Sequence, residues 1–282
     1  MDRRLFLQAS GLLLASPLLN AMPEMDSESF HFVGQSVSRN AQKLNYPLMD
    51  LHVHRSSNLS IEDIVAKGQC EKITVGIMEN IAPWGIKNDE ELQKYIDEVK
   101  EQPVFIGLQP MTTGWTKNFS AEKIALADYI IMDPQVVENG NKYGETINVW
   151  EYAAYIDDPE YFMERNMEHY MDILTNDEPL DVLACPLFLP ACIEREYHKL
   201  WTRKRLDKII DAANAKNVAI EINDTAHVPD EDFILSAKRA GLKFTFGSDT
   251  HNQNFGRLDY CKRVAMCCGL TDKDFFVPIK KS

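Results

Sequence analysis

The 282-residue chain is short of several things that mark common functional classes. Its six cysteines, at 70, 185, 192, 261, 267 and 268, contain no CxxC pair and no dense spacing, so neither a zinc ribbon nor a disulfide scaffold is indicated. Buried, small and hydrophobic is the expectation for most of them. No Gly-rich phosphate cradle and no Ser or Cys nucleophile elbow stands out. Positive charge is also scarce: 30 Lys and Arg face 43 Asp and Glu, a formal net charge of −13. Nucleic acid and anionic membranes would repel such a surface, so neither is expected as a partner; the charge says nothing specific about the small-molecule substrate that is expected instead. No internal repeat, low-complexity tract or Pro/Gly-rich linker divides the chain, and 45% hydrophobic against 26% charged residues suffices for one sizeable core.

Long apolar runs are missing too, apart from one at the start. Met1-Asp2-Arg3-Arg4-Leu5-Phe6-Leu7 leads into a mostly apolar run to Leu19, too short to span a bilayer comfortably. The Arg pair followed by Leu-Phe-Leu resembles a twin-arginine export signal, with an ordinary secretory signal as the alternative. Residues 1–21 are therefore expected to be a leader and the mature protein to be periplasmic. No Cys follows the apolar run, so a lipid anchor is not indicated. A polar segment occupies 22–45, and 46–282 has the usual size of a single barrel domain.

Within that domain, short β-branched and apolar runs alternate with helical patterns, the order expected of parallel strands joined by crossover helices. Strands are expected at Leu48–Val53, Ile73–Met78, Val104–Leu108, Asp128–Met132, Val182–Pro186, Val218–Ile222 and Phe244–Gly247. Helices are expected at Ser60–Gly68, Asp89–Lys100, Ala121–Ala127, Pro159–Leu174, Leu200–Lys216, Pro229–Ala240 and Gly256–Cys268. Ser60 supplies a cap, Glu62 and Asp63 supply first-turn negative charge, and Gly241 is a stop signal. Seven strand–helix units result. The long connection from Pro134 to Asp158, with Asn139-Gly140-Asn141-Lys142-Tyr143-Gly144, reads as a hairpin or lid.

The first strand runs into Asp50-Leu51-His52-Val53-His54. Side chains two apart in a strand share a face, so His52 and His54 can hold one metal at the strand's C-terminal end. The last strand ends in Phe246-Gly247-Ser248-Asp249-Thr250-His251, which brings an acid and an imidazole to the same rim. Alone, Asp249 could merely cap a helix. Barrel closure places the first and last strands side by side, which favours a shared metal site.

These segments, with Ala219-Ile220-Glu221-Ile222-Asn223, Ala240-Gly241-Leu242-Lys243-Phe244 and Gly256-Arg257-Leu258-Asp259-Tyr260, resemble the polymerase-and-histidinol-phosphatase (PHP) domain family over roughly residues 46–277. The resemblance implies an α/β fold, a distorted (β/α)7 TIM-like barrel of the amidohydrolase-like group. It also implies a three-metal cluster, and here the chain departs from the family. Met78-Glu79-Asn80 stands where the family has Thr-Asp-His, and Gln109 where it has a bridging Glu. Asp133-Pro134-Gln135 replaces Ser-x-His, Cys185-Pro186 replaces His-Pro, and no His lies within 55–60.

What survives is His52, His54 and Asp249, with Gln109 or Glu79 as a fourth ligand and Cys185 as either a soft ligand or a buried thiol. One divalent ion per chain, zinc or manganese, is the expectation. Three protein ligands and an open position suit a catalytic site, where a metal-bound water acquires a near-neutral pKa. His251 or Glu79 would shuttle the proton. The expected activity is metal-dependent hydrolysis of a phosphoester or a related ester or amide bond. Mononuclear lyase, isomerase or hydrolase chemistry on sugar-like compounds is the alternative, and a non-enzymatic binding protein with a degenerate site is the third reading. Rim residues expected to touch substrate are Trp84 and Trp115, by stacking, and Arg55 and Arg257, by charge. Lys87 and Lys117 share that reading.

Overall fold

The computed structural model describes residues 45–281. The leader expected over 1–21, and all but Asn45 of the polar segment 22–45, lie outside the described residues. In the compact unit Leu44–Ser282, the apolar runs form β1 (Met49–His54), β2 (Thr74–Asn80), β3 (Phe105–Gln109) and β4 (Tyr129–Met132). The long connection then folds as an antiparallel hairpin of β5 (Val136–Val137) and β6 (Ile147–Asn148). After it come β7 (Val182–Leu183), β8 (Ala219–Asn223) and β9 (Phe244–Gly247). The seven long-range strands pair in parallel in the order β1-β2-β3-β4-β7-β8-β9. Val53 bridges to Thr250 just past β9, and the His54 amide donates to the Thr250 carbonyl at 2.9 Å, so the sheet is a nearly closed barrel.

The crossover helices are α1 (Ile61–Glu71), α2 (Asp89–Val99), α3 (Ala121–Ile124), α4 (Pro159–Thr175), α5 (Tyr197–Leu200), α6 (Arg203–Lys216), α7 (Glu231–Arg239) and α8 (Asp259–Cys267). Ser60 and Asp63 cap α1 reciprocally, which satisfies two amides that the first turn leaves without partners. The helix expected over Leu200–Lys216 is broken. Trp201 leaves the helix to donate its indole N–H to the Leu187 carbonyl at 2.9 Å, and Thr202 then caps α6. Among the described residues no helix is long and apolar enough to cross a membrane.

Two buried polar side chains fasten the barrel near its first strand. Between Asp50 and Val53 the register of β1 against β2 shifts, a bulge that re-aims the strand end. The Tyr129 hydroxyl, from β4, donates to the carbonyl of Leu51 within that bulge. The Asp50 carboxylate accepts the Ser248 amide at 2.9 Å and the Gly256 amide at 2.7 Å, and so ties β1 to the segment that follows β9.

Helix α4 carries a half-buried imidazole, His169, whose Nε2 is itself buried and has no hydrogen-bond partner. Burial pushes its pKa from the ordinary 6.5 down to about 4, and nearby Asp172 only partly opposes this. The unfolded chain therefore binds a proton that the folded chain refuses between those values, and stability is lost as pH falls through that window. His169→Gln is expected to lose less stability than the wild type between pH 7 and pH 4.5, measured as urea midpoints. Equal losses would show that His169 is not held neutral.

Candidate metal centre

Two groups of ligand atoms meet at the C-terminal rim: His52, His54 and Asp249, and Asp133, Cys185 and Asp249. Within each group the ligand atoms lie within 4.8 Å of one another. His52 and His54 come from the bulged end of β1, Asp133 follows β4, Cys185 follows β7 and Asp249 follows β9. Cys185 (φ 38°) and Asp249 (φ 49°) hold left-handed backbone, an unfavourable conformation that persists only where surrounding structure dictates it. Gly247 lets β8 and β1 close on β9. A Cβ there would lie 1.9 Å from Glu221 Oε1 and 2.7 Å from His52 Cβ.

Glu221, fully buried on β8, organises the centre. Its Oε1 lies 2.7 Å from His52 Nδ1, and its Oε2 accepts the Cys185 amide at 2.8 Å and the Asn223 side-chain amide at 3.0 Å. Held this way, His52 turns Nε2 to within 3.4 Å of Asp249 Oδ1, and that nitrogen has no hydrogen bond. His54 Nε2 lies 3.9 Å from the same oxygen. Asp133 is buried as well, and its Oδ1 is also without a partner. Cys185 Sγ accepts from Asn223 at 2.8 Å and lies 3.7 Å from Asp249 Oδ2.

The electrostatics favour positive charge at this point. Burial alone would lower the His52 pKa most, but the Glu221 and Asp249 carboxylates outweigh it and push the imidazole up to about 10. Burial and the His52 charge push His54 the other way, down to about 3, so it is a neutral imidazole with a lone pair to give. Burial, together with Asp249, drives Asp133 well above the usual carboxylate range, and burial with Asp133 does the same to the Cys185 thiol. Clustered acids in low dielectric resist ionising together unless a cation joins them.

Four of the remaining expected residues, Gln109, His251, Glu79 and Arg55, lie beside the cluster. Gln109 accepts from Asn80 at 2.9 Å and also hydrogen-bonds His54, so it orients that ligand. The His251 ring stacks on His54, centroids 4.4 Å apart and planes 6° apart, at the edge of the cluster. Glu79 and Arg55 pair with each other at 2.5 Å, and Arg55 also reaches Glu98 at 2.5 Å while lying over the Tyr95 ring. Glu79, expected as ligand or proton carrier, is thus engaged by a guanidinium, and Arg55 is flanked by two carboxylates rather than open to substrate.

Two rim expectations are corrected. Trp115 is buried, because the loop after β3 winds into a tight turn pinned by Glu178, which accepts the Gly114 and Thr116 amides. Its ring packs near Phe119 and anchors the loop. Arg257 is largely exposed, and its nearest carboxylate is Asp259 at 3.8 Å. The aromatic that Trp84 meets is instead Trp150, 6.3 Å away and edge-on.

Asp133, Glu221, Asn223 and Trp150 were not among the expected site residues. Asp133 sits next to a proline at a strand end, a position that signals a rim residue, and Glu221 is an acid inside an apolar strand, which signals a buried partner. Trp150 lies on the far side of a hairpin, and nothing local announces it.

No protein-family profile matches the chain, and neither does any curated protein sequence. Among solved structures it is similar to a chain of an archaeal ribonuclease P complex with mature tRNA, at 12% identity and a TM-score of 0.38, covering 83% of this chain and 98% of that one. It is also similar to phospho-2-dehydro-3-deoxyheptonate aldolase from Thermotoga maritima, at 10% identity and a TM-score of 0.38, covering 80% of this chain and 57% of that one.

Because Glu221 fixes the tautomer and aim of His52, Glu221→Gln is expected to weaken zinc binding by roughly 10- to 100-fold, the range for losing an outer partner of a ligating imidazole. Competition against a fluorescent chelator measures this, with circular dichroism to confirm the fold. A folded variant with undiminished affinity would show that Glu221 does not orient the ligand.

Proposed function

We propose that the chain is a metal-dependent hydrolase of the PHP type, holding one divalent ion, zinc or manganese, on His52, His54 and Asp249. One observation carries this reading: two buried polar atoms without hydrogen bonds, His52 Nε2 and an oxygen of Asp133, meet at a single carboxylate, Asp249, where a divalent ion would take the place of the His52 Nε2 proton. Buried polar atoms are almost always satisfied, and a cation on Asp249 satisfies both the geometry and the charge. A divalent ion supplies Lewis acidity and makes water acidic enough to attack at neutral pH. The protein's own part is to aim the donors. Glu221 fixes His52, Gln109 fixes His54, and His251 stands at the mouth in position to carry a proton to a leaving group.

Asp133, not among the ligands expected from the sequence, gives the Asp133–Cys185–Asp249 group three donors as well. One ion remains the reading, because the two groups share one carboxylate and the Cys185 sulfur already accepts from Asn223. Hydrolysis of a phosphoester is what the family resemblance suggests, with other esters and amides alongside. The charges at the rim favour the alternative, an uncharged and sugar-like substrate. Arg55 is paired with Glu79 and Glu98, and Arg257 lies out near Asp259, so neither guanidinium is directed at the donors.

Elemental analysis after dialysis against a weak chelator is expected to give about one divalent ion per chain, whereas a value near two would place a second ion on the Asp133 group. His54→Ala and Asp249→Asn should remain folded but lose both the ion and hydrolysis of ester, phosphoester and amide probes. Their loss should go beyond the roughly 100-fold typical of an outer partner. Either variant retaining both would overturn the assignment.

The leader reading belongs to the same proposal, with the mature protein acting in the periplasm on a small molecule. Lys at both Arg3 and Arg4 keeps the charge, yet a twin-arginine receptor requires the pair, so precursor should accumulate in the cytoplasm. Normal processing would mean a general secretory signal.

A further inference from the structure

Four tryptophans occur in the chain, and they divide sharply. Trp115 and Trp201 are 2% and 3% exposed, whereas Trp84 and Trp150 are 49% and 37% exposed. The exposed two meet edge-to-face, with ring centroids 6.3 Å apart and planes at 84°. They come from different connections, Trp84 from the loop after β2 and Trp150 from the end of the β5–β6 hairpin, and a short chain of contacts leads from each towards the donor cluster.

Trp84 sits at the tip of a closed loop. The Ala82 amide donates to the Ile86 carbonyl at 2.7 Å, and the Ile86 amide donates to the Asn80 carbonyl at 2.9 Å. Gly85 passes so near that a Cβ would lie 1.9 Å from the Asn80 oxygen, so only glycine fits this loop. The loop base, Asn80, donates its side-chain amide to Gln109, which hydrogen-bonds His54. Trp150 is fixed from the other side. The amide of its neighbour Val149 donates to the Gln135 carbonyl at 2.8 Å, two residues beyond Asp133.

We propose that Trp84 and Trp150 form the recognition corner of the metal centre, a stacking subsite for one pyranose ring of a neutral saccharide. The proposal rests on the donor cluster being the reactive site. An edge-to-face pair leaves one indole face open beside an edge, which makes one flat wall. A flat aromatic ligand is better held between parallel rings, and a quaternary ammonium by several faces around the charge. The C–H face of a pyranose carries partial positive charge and matches the negative face of a single indole. Its hydroxyls then project sideways to groups that accept or donate, and Asn148 and Glu151, hydrogen-bonded to each other at 2.8 Å, flank Trp150 in the chain. Two cations able to meet an anion are engaged, Arg55 with two carboxylates and Lys142 of the hairpin with Asp158 at 2.5 Å, while Lys87, exposed three residues after Trp84, is the cation that the glucose 6-phosphate probe tests.

Intrinsic fluorescence tests this directly, since the two exposed indoles dominate any ligand-induced change. Cellotriose, maltotriose and chitotriose are titrated into the zinc-loaded and the chelator-dialysed protein, with glucose 6-phosphate and benzyltrimethylammonium as charged probes. At least one neutral trisaccharide is expected to give a saturable change. Trp84→Ala and Trp150→Ala should each weaken it tenfold or more while zinc content is kept, and Trp115→Phe should leave it unchanged. No response to any trisaccharide, or undiminished binding by both alanine variants, overturns the subsite. Binding of a charged probe in place of the neutral ones overturns its ligand class. Protein that binds saccharide but retains no zinc would instead overturn the metal assignment and leave the corner standing, so the two failures are distinct.

Discussion

The hydrogen bond between His52 and Glu221 is the interaction on which the rest of the centre depends. A fully buried carboxylate is costly to desolvate, by several kcal/mol even after relaxation. Glu221 is tolerated because every direction is used: His52 takes one oxygen, and the Cys185 amide and Asn223 take the other. Through these contacts β1, the turn after β7 and β8 are held in one geometry. The left-handed backbone at Cys185 and the close passage of Gly247 follow from the same crowding.

Around that pair the charges are arranged so that no single protonation state suits all members. His52 holds positive charge strongly, its neighbour His54 refuses it, and Asp133 and Cys185 both resist becoming anions. Opposed shifts among buried groups in mutual contact are a pattern that functional sites share, and a cation among the acids would relieve the crowding of their charges. The Arg55–Glu79–Glu98 group nearby is the contrast: it is partly exposed, paired throughout, and shows the structural pattern.

Much of this was legible in the sequence. The seven strands follow from apolar runs, and the His52–His54 spacing with Asp249 at the opposite end of the chain points to one site because a barrel brings its ends together. Some of it was not. Whether an arginine near a strand end meets substrate or two glutamates depends on α2, which supplies Glu98 from a different unit. Trp115 and Trp84 look alike in sequence, each in a Gly-containing loop after a strand, yet one loop is pulled inward by Glu178 from beyond α4 and the other is not. Contacts of that range have no local signature. The break before α6 was similarly hidden, since it is set by the Leu187 carbonyl that Trp201 reaches.

The fastening of Asp50 to Gly256 bears on how the molecule comes to exist at all. Its partners lie 206 residues apart, and those of the His52–Glu221 bond 169 apart. Contacts of such sequence separation are gained only against the entropy of closing long loops. The donor set therefore has no existence in a growing or partly folded chain. It is assembled only when the last strand docks beside the first, so the meeting of His52, His54 and Asp249 reports that the topology is complete.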